Sequence, residues 1–297
     1  CQRWTLCVLD VVRSHRDLSR YEVVTARQAT ARGSCGSLVG VRTTQKARAL
    51  LAFAALGLAS CAGPQSEAPG GRITGDLLGP MRVLETAGGL HGKIEILEHE
   101  GSLALVIDGV FQTVIPAAPF GLVKGMLLRG GDHVELVPYF RPAARSALLI
   151  GLGGGLHATA LALHGIEVTA VDIEPEVVRL AAERFGVACE MVVADGRAFL
   201  EQDPRRFDAI VLDVFAGAGV PAHLFTREAF EAAAQRLAQD GILAVHLIGR
   251  PAHPAIQAVA RTLEVVFPHV TVTRSGTSGR LEAIYLFASS SPLALGP

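Results

Sequence analysis

A glycine-rich turn between a strand and a helix is the feature that most constrains the fold of this chain. An apolar run at Ala147–Gly151 predicts a buried strand, the glycines of 151–155 predict a tight turn, and a helix is expected at 155–164. A second apolar run, Glu167–Asp172, predicts a strand that ends in an acid. Such a turn lets the backbone approach a ligand, and the acid can accept both ribose hydroxyl protons. Residues 148–174 therefore predict a nucleoside-binding site.

Strands and helices alternate over the rest of the chain, which predicts an α/β fold with a mostly parallel seven-stranded sheet. The last two strands are joined by a short loop and should pair antiparallel. This ending is typical of the Rossmann fold of class I S-adenosylmethionine methyltransferases, and NAD-type sheets lack it. The predicted strands are Ala147–Gly151, Glu167–Asp172, Glu190–Val193, Ala209–Asp213, Ile242–Leu247, Val270–Arg274 and Ala283–Phe287, with helices at about 155–164, 175–185, 196–202, 226–238 and 252–266.

A small antiparallel β unit is expected before this sheet. Lys93–Glu98 alternates apolar and polar residues, and Leu103–Ile107 is a second β-rich run. Asp108-Gly109 is a strong hairpin signal, and Val110–Ile115 is the expected return strand. Short helical connectors are predicted at Pro119–Arg129 and His133–Phe140. The predicted domains are a β-hairpin domain with its connectors at 82–141 and a nucleoside-binding domain at 142–290.

The N-terminal residues have the pattern of an export signal. Residues 1–40 show no sustained period and are interpreted as disordered or as read-through upstream of a true start near Val41. At 41–61 a short basic stretch precedes an apolar run, and Leu58–Cys61 resembles a bacterial lipobox, with Cys61 as the lipidated residue. Residues 62–81 are expected to be a linker. The alternative is a chance apolar stretch, so the prediction is an exported lipoprotein, or a cytoplasmic protein if the signal interpretation fails.

Composition excludes several classes of site. The formal net charge is −1 over 297 residues, which gives no electrostatic footprint for nucleic acid. The five cysteines show no disulfide framework and no zinc-ligand spacing. The histidines are scattered along the sequence, so no metal site is predicted from them: His157, His164, His223, His246, His253 and His269.

Acids follow three successive predicted strands, and this sharpens the weak signal of the glycine turn. Asp172 ends the second strand, Asp195-Gly196 follows the third, and Asp213 ends the fourth. The carboxyl ends of parallel strands line one crevice, so these acids should face one ligand. The alternative for any one of them is a helix cap or a surface charge.

These features resemble the spermidine synthase family, the polyamine aminopropyltransferases, and most closely its divergent bacterial branch. The resemblance covers about residues 83–287. It is carried by the hairpin Leu105–Thr113, Gly151–Gly155, Val171–Glu174, Asp195–Arg197, Leu212–Gly217 and Val220–Leu224.

The resemblance implies a role for each matching residue. Asp213 fits the catalytic aspartate, whose carboxylate takes a proton from the acceptor amine. Asp172 fits the ribose-binding acid and Asp195 the adenine-binding acid, while Gln112 fits the hairpin glutamine that closes the site over the donor. Gly151, Gly153, Gly155 and Gly196 complete the predicted donor site. The co-substrate is expected to be an adenosyl-sulfonium compound, decarboxylated S-adenosylmethionine or S-adenosylmethionine, with no permanently bound cofactor.

Two departures from the family pattern leave the reaction open. Gly154 stands where the family has an acid that holds the aminopropyl ammonium, and Ala216 replaces the second acid of the catalytic segment. The leading hypothesis is aminopropyl transfer to a small amine acceptor. The alternatives are a methyltransferase that uses intact S-adenosylmethionine and a non-catalytic protein that binds an adenosine ligand. A homodimer is a further expectation.

Overall fold

The computed structural model describes residues 81–99, 101–116, 133–215, 220–275 and 282–294. In these ranges the chain forms a four-stranded antiparallel sheet and a seven-stranded, mostly parallel sheet. The predicted signal at 41–61 with Cys61, most of the linker, the connector at 119–129 and Ala216 lie outside the described residues. The predictions made for them stay predictions.

The elements follow one another in the order that the sequence predicts. The strands are β1 (Arg82–Gly89), β2 (Gly92–His99), β3 (Ser102–Ile107), β4 (Val110–Pro116), β5 (Ser146–Ile150), β6 (Glu167–Asp172), β7 (Glu190–Val193), β8 (Phe207–Leu212), β9 (Leu237–Gly249), β10 (His269–Ser275) and β11 (Glu282–Ser289). The helices are α1 (Val137–Phe140), α2 (Leu156–Leu163), α3 (Pro175–Phe185), α4 (Gly196–Gln202), α5 (Arg227–Arg236) and α6 (Pro254–Val266), and 3-10 turns lie at His133–Leu136 and Ala222–Leu224.

The large sheet has the strand order β10-β11-β9-β8-β5-β6-β7. Strand β5 pairs in parallel with both β6 and β8. Strands β6 and β7 are added on one side of β5, and β8 and β9 on the other, so the strand order reverses at β5. Strand β11 pairs antiparallel with β9 and β10, as expected for a class I methyltransferase-like sheet. Ligands bind at such a reversal, outside the carboxyl ends of the strands. The topology therefore places the ends of β5, β6 and β8 at one crevice.

The sheet is buried on both faces because helices cover it on both sides. In β5, Leu149 points into a cluster with Leu180 of α3, while Leu148 points into a cluster with Phe230 of α5 and Leu263 of α6. Each of these five side chains is buried. Burying a leucine or phenylalanine side chain stabilises the fold by about 1.5–3 kcal/mol relative to leaving it exposed. The core therefore fixes the strand ends that carry the candidate site.

The small sheet contains one strand that the sequence did not predict. Strand β1 was missed because its sequence contains polar residues and two glycines, and much of it is exposed. The predicted Asp108-Gly109 turn is confirmed, since both residues have positive φ, 47° and 78°. The Asp108 carboxylate also accepts the backbone N–H of Lys93 at 2.7 Å, which ties the turn to β2.

Two sets of polar contacts fasten the small sheet to α3. Glu85 of β1 accepts from Arg179 at 2.7 Å and from Arg184 at 2.6 Å. At the start of α3, the buried Glu174 carboxylate accepts the backbone N–H of Leu90 in the β1–β2 turn. The small sheet is thus held beside the crevice.

Within the described part of the chain, no helix is both long enough and apolar enough to span a membrane.

Candidate active site

The glycine turn leaves β5 in a conformation that few other residues could adopt. Gly151 has φ +89°, and a Cβ atom there would lie 2.0 Å from the backbone oxygen of Asp213. Its N–H donates to Val171 of β6 at 2.9 Å. The turn therefore packs directly against the neighbouring strands, and α2 begins behind it.

Asp172 holds this turn from the end of β6. One carboxylate oxygen accepts the N–H of Leu152 at 2.8 Å, and the other accepts the N–H of Glu174 at 2.9 Å. Burial raises the pKa of Asp172, and these backbone hydrogen bonds only partly oppose the rise. A carboxylate offers about four lone-pair sites, so the backbone contacts of Asp172 do not use all of them, and a ribose hydroxyl can still be accepted. The predicted position of Asp172 in the site is thus consistent with its contacts, while its role stays a prediction.

The hairpin reaches the glycine turn through Thr113 and not through the predicted Gln112. The Thr113 hydroxyl accepts the N–H of Gly154 at 2.8 Å. Leu105 pairs with Thr113 and Val106 with Phe111, so Gln112 is the extra residue of a β-bulge. The Gln112 amide donates to the Val110 carbonyl at 3.4 Å. Closure over a donor by Gln112 is therefore a prediction that these contacts do not test.

Thr113 also explains why residue 154 is a glycine. A Cβ atom at Gly154 would lie 2.7 Å from Thr113 Cγ2 and 3.2 Å from a ring carbon of Phe185. Real Cβ atoms essentially never approach a neighbour as closely as the first distance, and the second is tighter than most real contacts. A side chain at 154 would therefore require Thr113 to move.

Asp195 lies at the end of β7, at the N-terminus of α4. Its Oδ1 accepts the N–H of Ala198 at 2.9 Å as a helix cap, and its Oδ2 lies 3.0 Å from His223 Nε2. Burial alone would raise the pKa of Asp195, but the cap hydrogen bond and His223 outweigh this effect, so the pKa is lowered. Gly196 packs against β5, since a Cβ atom there would lie 2.3 Å from Ile150 Cγ2. Asp195 therefore acts as a helix cap, and this position at the end of β7 is also compatible with its predicted contact with adenine.

Asp213 follows β8 and binds two histidines. Its Oδ2 lies 2.8 Å from His157 Nδ1, and its Oδ1 lies 2.7 Å from His246 Nδ1. We call His157, Asp213 and His246 the histidine–aspartate cluster. Burial alone would raise the pKa of Asp213, but the two imidazoles reverse this and hold it far below its ordinary value.

The two histidines are fixed by Tyr285 of β11. The Tyr285 hydroxyl lies 3.0 Å from His157 Nε2. The His246 ring stacks on the Tyr285 ring, with centroids 4.4 Å apart and planes 9° from parallel. These contacts hold the rings in place, because His246 and Tyr285 are register partners on paired strands.

His157 and His246 are scattered in sequence, as noted above, but the fold brings them together. They are 89 residues apart, yet the first turn of α2 and strand β9 bring both to Asp213. In the parallel strands β8 and β9, Leu212 pairs with Val245, so the following residues, Asp213 and His246, are neighbours. Asp213 was predicted from the sequence, and its two histidine partners were not.

Comparisons with known proteins agree with this geometry. A sequence model described as "Methyltransferase domain" matches residues 147–241. Polyamine aminopropyltransferase 2 of Hyperthermus butylicus is 32% identical over 190 residues, 58% of this chain and 60% of that protein. Polyamine aminopropyltransferase 2 of Pseudomonas aeruginosa is 32% identical over 42% of this chain and 40% of its own length.

One relative with a different activity is also similar. The N-terminal histidine N-methyltransferase of Emericella nidulans is 33% identical over 143 residues, 46% of this chain and 26% of that protein. The chain thus spans less than two thirds of each of these three relatives.

Solved structures show the same fold. A spermidine synthase in complex with the transition-state analogue AdoDATO has a TM-score of 0.57 at 23% identity, over 71% of this chain and 74% of that one. A probable spermidine synthase from Corynebacterium glutamicum has a TM-score of 0.58 at 22% identity, over 70% and 80%. The chain is thus similar in sequence to several polyamine aminopropyltransferases, and it shares its fold with spermidine synthases of known structure.

Proposed function

We propose that the chain transfers an aminopropyl group from decarboxylated S-adenosylmethionine to a small amine. The observation that carries the proposal is the convergence of Asp172, Asp195 and Asp213 at the ends of β6, β7 and β8 around the glycine turn. The relatives named polyamine aminopropyltransferases support the choice of reaction.

The donor would bind along the crevice at the carboxyl ends of these strands. Asp172, beside the glycine turn, would accept the ribose hydroxyls, and Asp195 would accept the adenine amino group. Asp213, 41 residues beyond Asp172 in sequence, would lie at the reacting end. Its side chain is 23% exposed, so an acceptor can reach it.

The reaction is a displacement at a carbon bound to a positively charged sulfur. The amine lone pair forms the new C–N bond, the C–S bond breaks, and its electron pair stays on sulfur as a neutral thioether. The amine loses one proton, and Asp213 is placed to orient the amine and to pass this proton to an adjacent imidazole. Each carboxylate oxygen lies against one imidazole, so Asp213 would act together with His157 and His246.

Methyl transfer is the second candidate, and the packing at Gly154 favours it. In an aminopropyl donor the ammonium group needs a counter-charge. Burying even a neutral polar group without a partner costs on the order of 2–7 kcal/mol, and burying an unpaired charge costs more. Glycine at 154 supplies no such counter-charge, and a Cβ atom there would contact Thr113 and Phe185 too closely. The relative named N-terminal histidine N-methyltransferase supports this candidate as well.

The test is a product assay on the full chain with each donor in turn. With decarboxylated S-adenosylmethionine and putrescine, aminopropyl transfer predicts methylthioadenosine and spermidine, and Asp213→Asn should lower kcat at least 100-fold, in the range of a lost proton acceptor. Asp203→Asn, a carboxylate at the far end of α4, is the matched control and should keep the wild-type rate. Transfer from intact S-adenosylmethionine alone would replace this proposal by methyl transfer. Binding of a donor with no turnover of any amine would instead favour the non-catalytic alternative.

A further inference from the structure

The histidine–aspartate cluster has the donor set of a metal site. We propose that it binds a divalent transition-metal ion of the zinc type through His157 Nδ1, His246 Nδ1 and the carboxylate of Asp213. Among the described residues, these three ligand atoms lie within 4.8 Å of one another. Each comes from a different element, the first turn of α2, strand β9 and the end of β8.

The distances suit a cation after a small outward movement. In a tetrahedral zinc site the bonds are about 2.0–2.1 Å long, so neighbouring ligand atoms lie about 3.3 Å apart. The two nitrogen–oxygen distances in the cluster are 2.8 and 2.7 Å. An ion would thus require the ligands to separate by about half an ångström, which side-chain rotation can supply.

Tyr285 orients both histidines, and it gives His157 the outer hydrogen bond that a metal-binding histidine needs. A histidine that binds a metal through Nδ1 carries its proton on Nε2, where a hydrogen-bond acceptor stabilises it. For His157 that acceptor is the Tyr285 hydroxyl, 3.0 Å from Nε2. The same tyrosine ring stacks on His246 and limits its rotation. Both imidazoles are therefore oriented by one residue on β11.

The chemistry of the donors selects the kind of ion. Two imidazoles and one carboxylate suit zinc, iron and similar ions, whereas magnesium and calcium prefer oxygen ligands. The histidine side chains are only 6% and 12% exposed, while that of Asp213 is 23% exposed. The open side of the ion would face the mouth of the crevice, beside the proposed acceptor. The metal proposal stands on these contacts and does not depend on which group is transferred.

Metal binding is tested directly by calorimetry with Zn²⁺ on the full chain after removal of metals with a chelator. The proposal predicts one ion per chain, and Mg²⁺ should give no heat at the same concentrations. His157→Asn, His246→Asn and Asp213→Asn should each weaken Zn²⁺ binding at least 100-fold. Tyr285→Phe, which keeps the ring and removes the hydroxyl, should weaken it about 10-fold to 100-fold.

The matched control is His223→Asn, because His223 also lies against an aspartate, Asp195, but outside the cluster. It should keep wild-type Zn²⁺ affinity. Visible absorption of bound Co²⁺ gives a second readout, and its loss in the three variants of the histidine–aspartate cluster, or its weakening in Tyr285→Phe, shows that the ion lies at these residues. A thermal unfolding scan checks that each variant is folded, and Tyr285→Phe decides the question if a cluster variant is not. Failure of the wild type to bind Zn²⁺, or equal binding by the wild type and the cluster variants, would overturn the proposal.

Discussion

Single residues in the glycine turn explain why the sequence there is so restricted. Gly151 combines a positive φ with close contact to the backbone of Asp213. Gly165 also has a positive φ, +75°, but a Cβ atom there would meet nothing within 4 Å. Comparing Gly165 with Gly151 therefore separates the free-energy cost of a left-handed backbone from the cost of a steric clash at Cβ.

Alanine at the two glycines should therefore have different effects. Gly165→Ala should lower the free energy of unfolding by about 1–2 kcal/mol, the cost of left-handed backbone in a residue with a Cβ atom. Gly151→Ala should cost at least about 2 kcal/mol more, because the strands β5 and β8 must separate, and it should also weaken nucleoside binding. Denaturant unfolding of both variants checks this. Equal losses in the two variants would show that the contact with Asp213 does not matter.

At the same scale, the sequence predicted the acids and missed their partners. Asp172, Asp195 and Asp213 could be found because each directly follows an apolar strand, and strand ends converge by topology. His157, His246 and Tyr285 could not, because their meeting depends on the crossing of a helix over the sheet and on strand order. Gly154 was predicted to lack a counter-charge, and the structure adds the reason, since Thr113 occupies that space.

At the scale of elements, charge pairs connect β1 to α3, beside the apolar core that the small sheet shares with this helix. Glu85 is the centre of these pairs, with Arg179 and Arg184. Hydrogen bonds from both arginines, Arg179 first, lower the pKa of Glu85 below its ordinary value of 4.5. A carboxyl whose folded pKa is lowered stabilises the fold above its unfolded pKa and loses that contribution as the pH falls.

Removing the Glu85 carboxylate should make the free energy of unfolding fall less steeply as the pH is lowered. Glu85→Gln should lower the free energy of unfolding at pH 7, and the difference from the wild type should shrink as the pH falls below about 4.5. Glu183→Gln removes a pair made within α3 alone and should change stability by less than about 0.5 kcal/mol. Urea unfolding between pH 3 and pH 7 measures both. A Glu85→Gln difference that stays constant over this range would contradict the assigned role.

At the scale of the whole molecule, the order of strands and helices could be predicted well. Apolar runs and the alternation of strands with helices mark β5 to β11 and α2 to α6, and the short final loop marks the antiparallel end. Strand β1 could not be predicted, because its residues are too polar and exposed for a periodic signal. Strand β9 is longer than predicted and begins directly after α5, since its first residues continue the pairing with β8 beyond a bulge.

The central claim is that the ends of β5, β6 and β7 bind an adenosyl group. The most direct test is calorimetric titration of the full chain with methylthioadenosine, the thioether that aminopropyl transfer releases and whose structure both proposed donors contain. We predict one binding site per chain, with at least 10-fold weaker binding in Asp172→Asn and unchanged binding in Asp203→Asn. Absence of binding by methylthioadenosine and by both sulfonium donors, in a chain that unfolds cooperatively, would contradict the account.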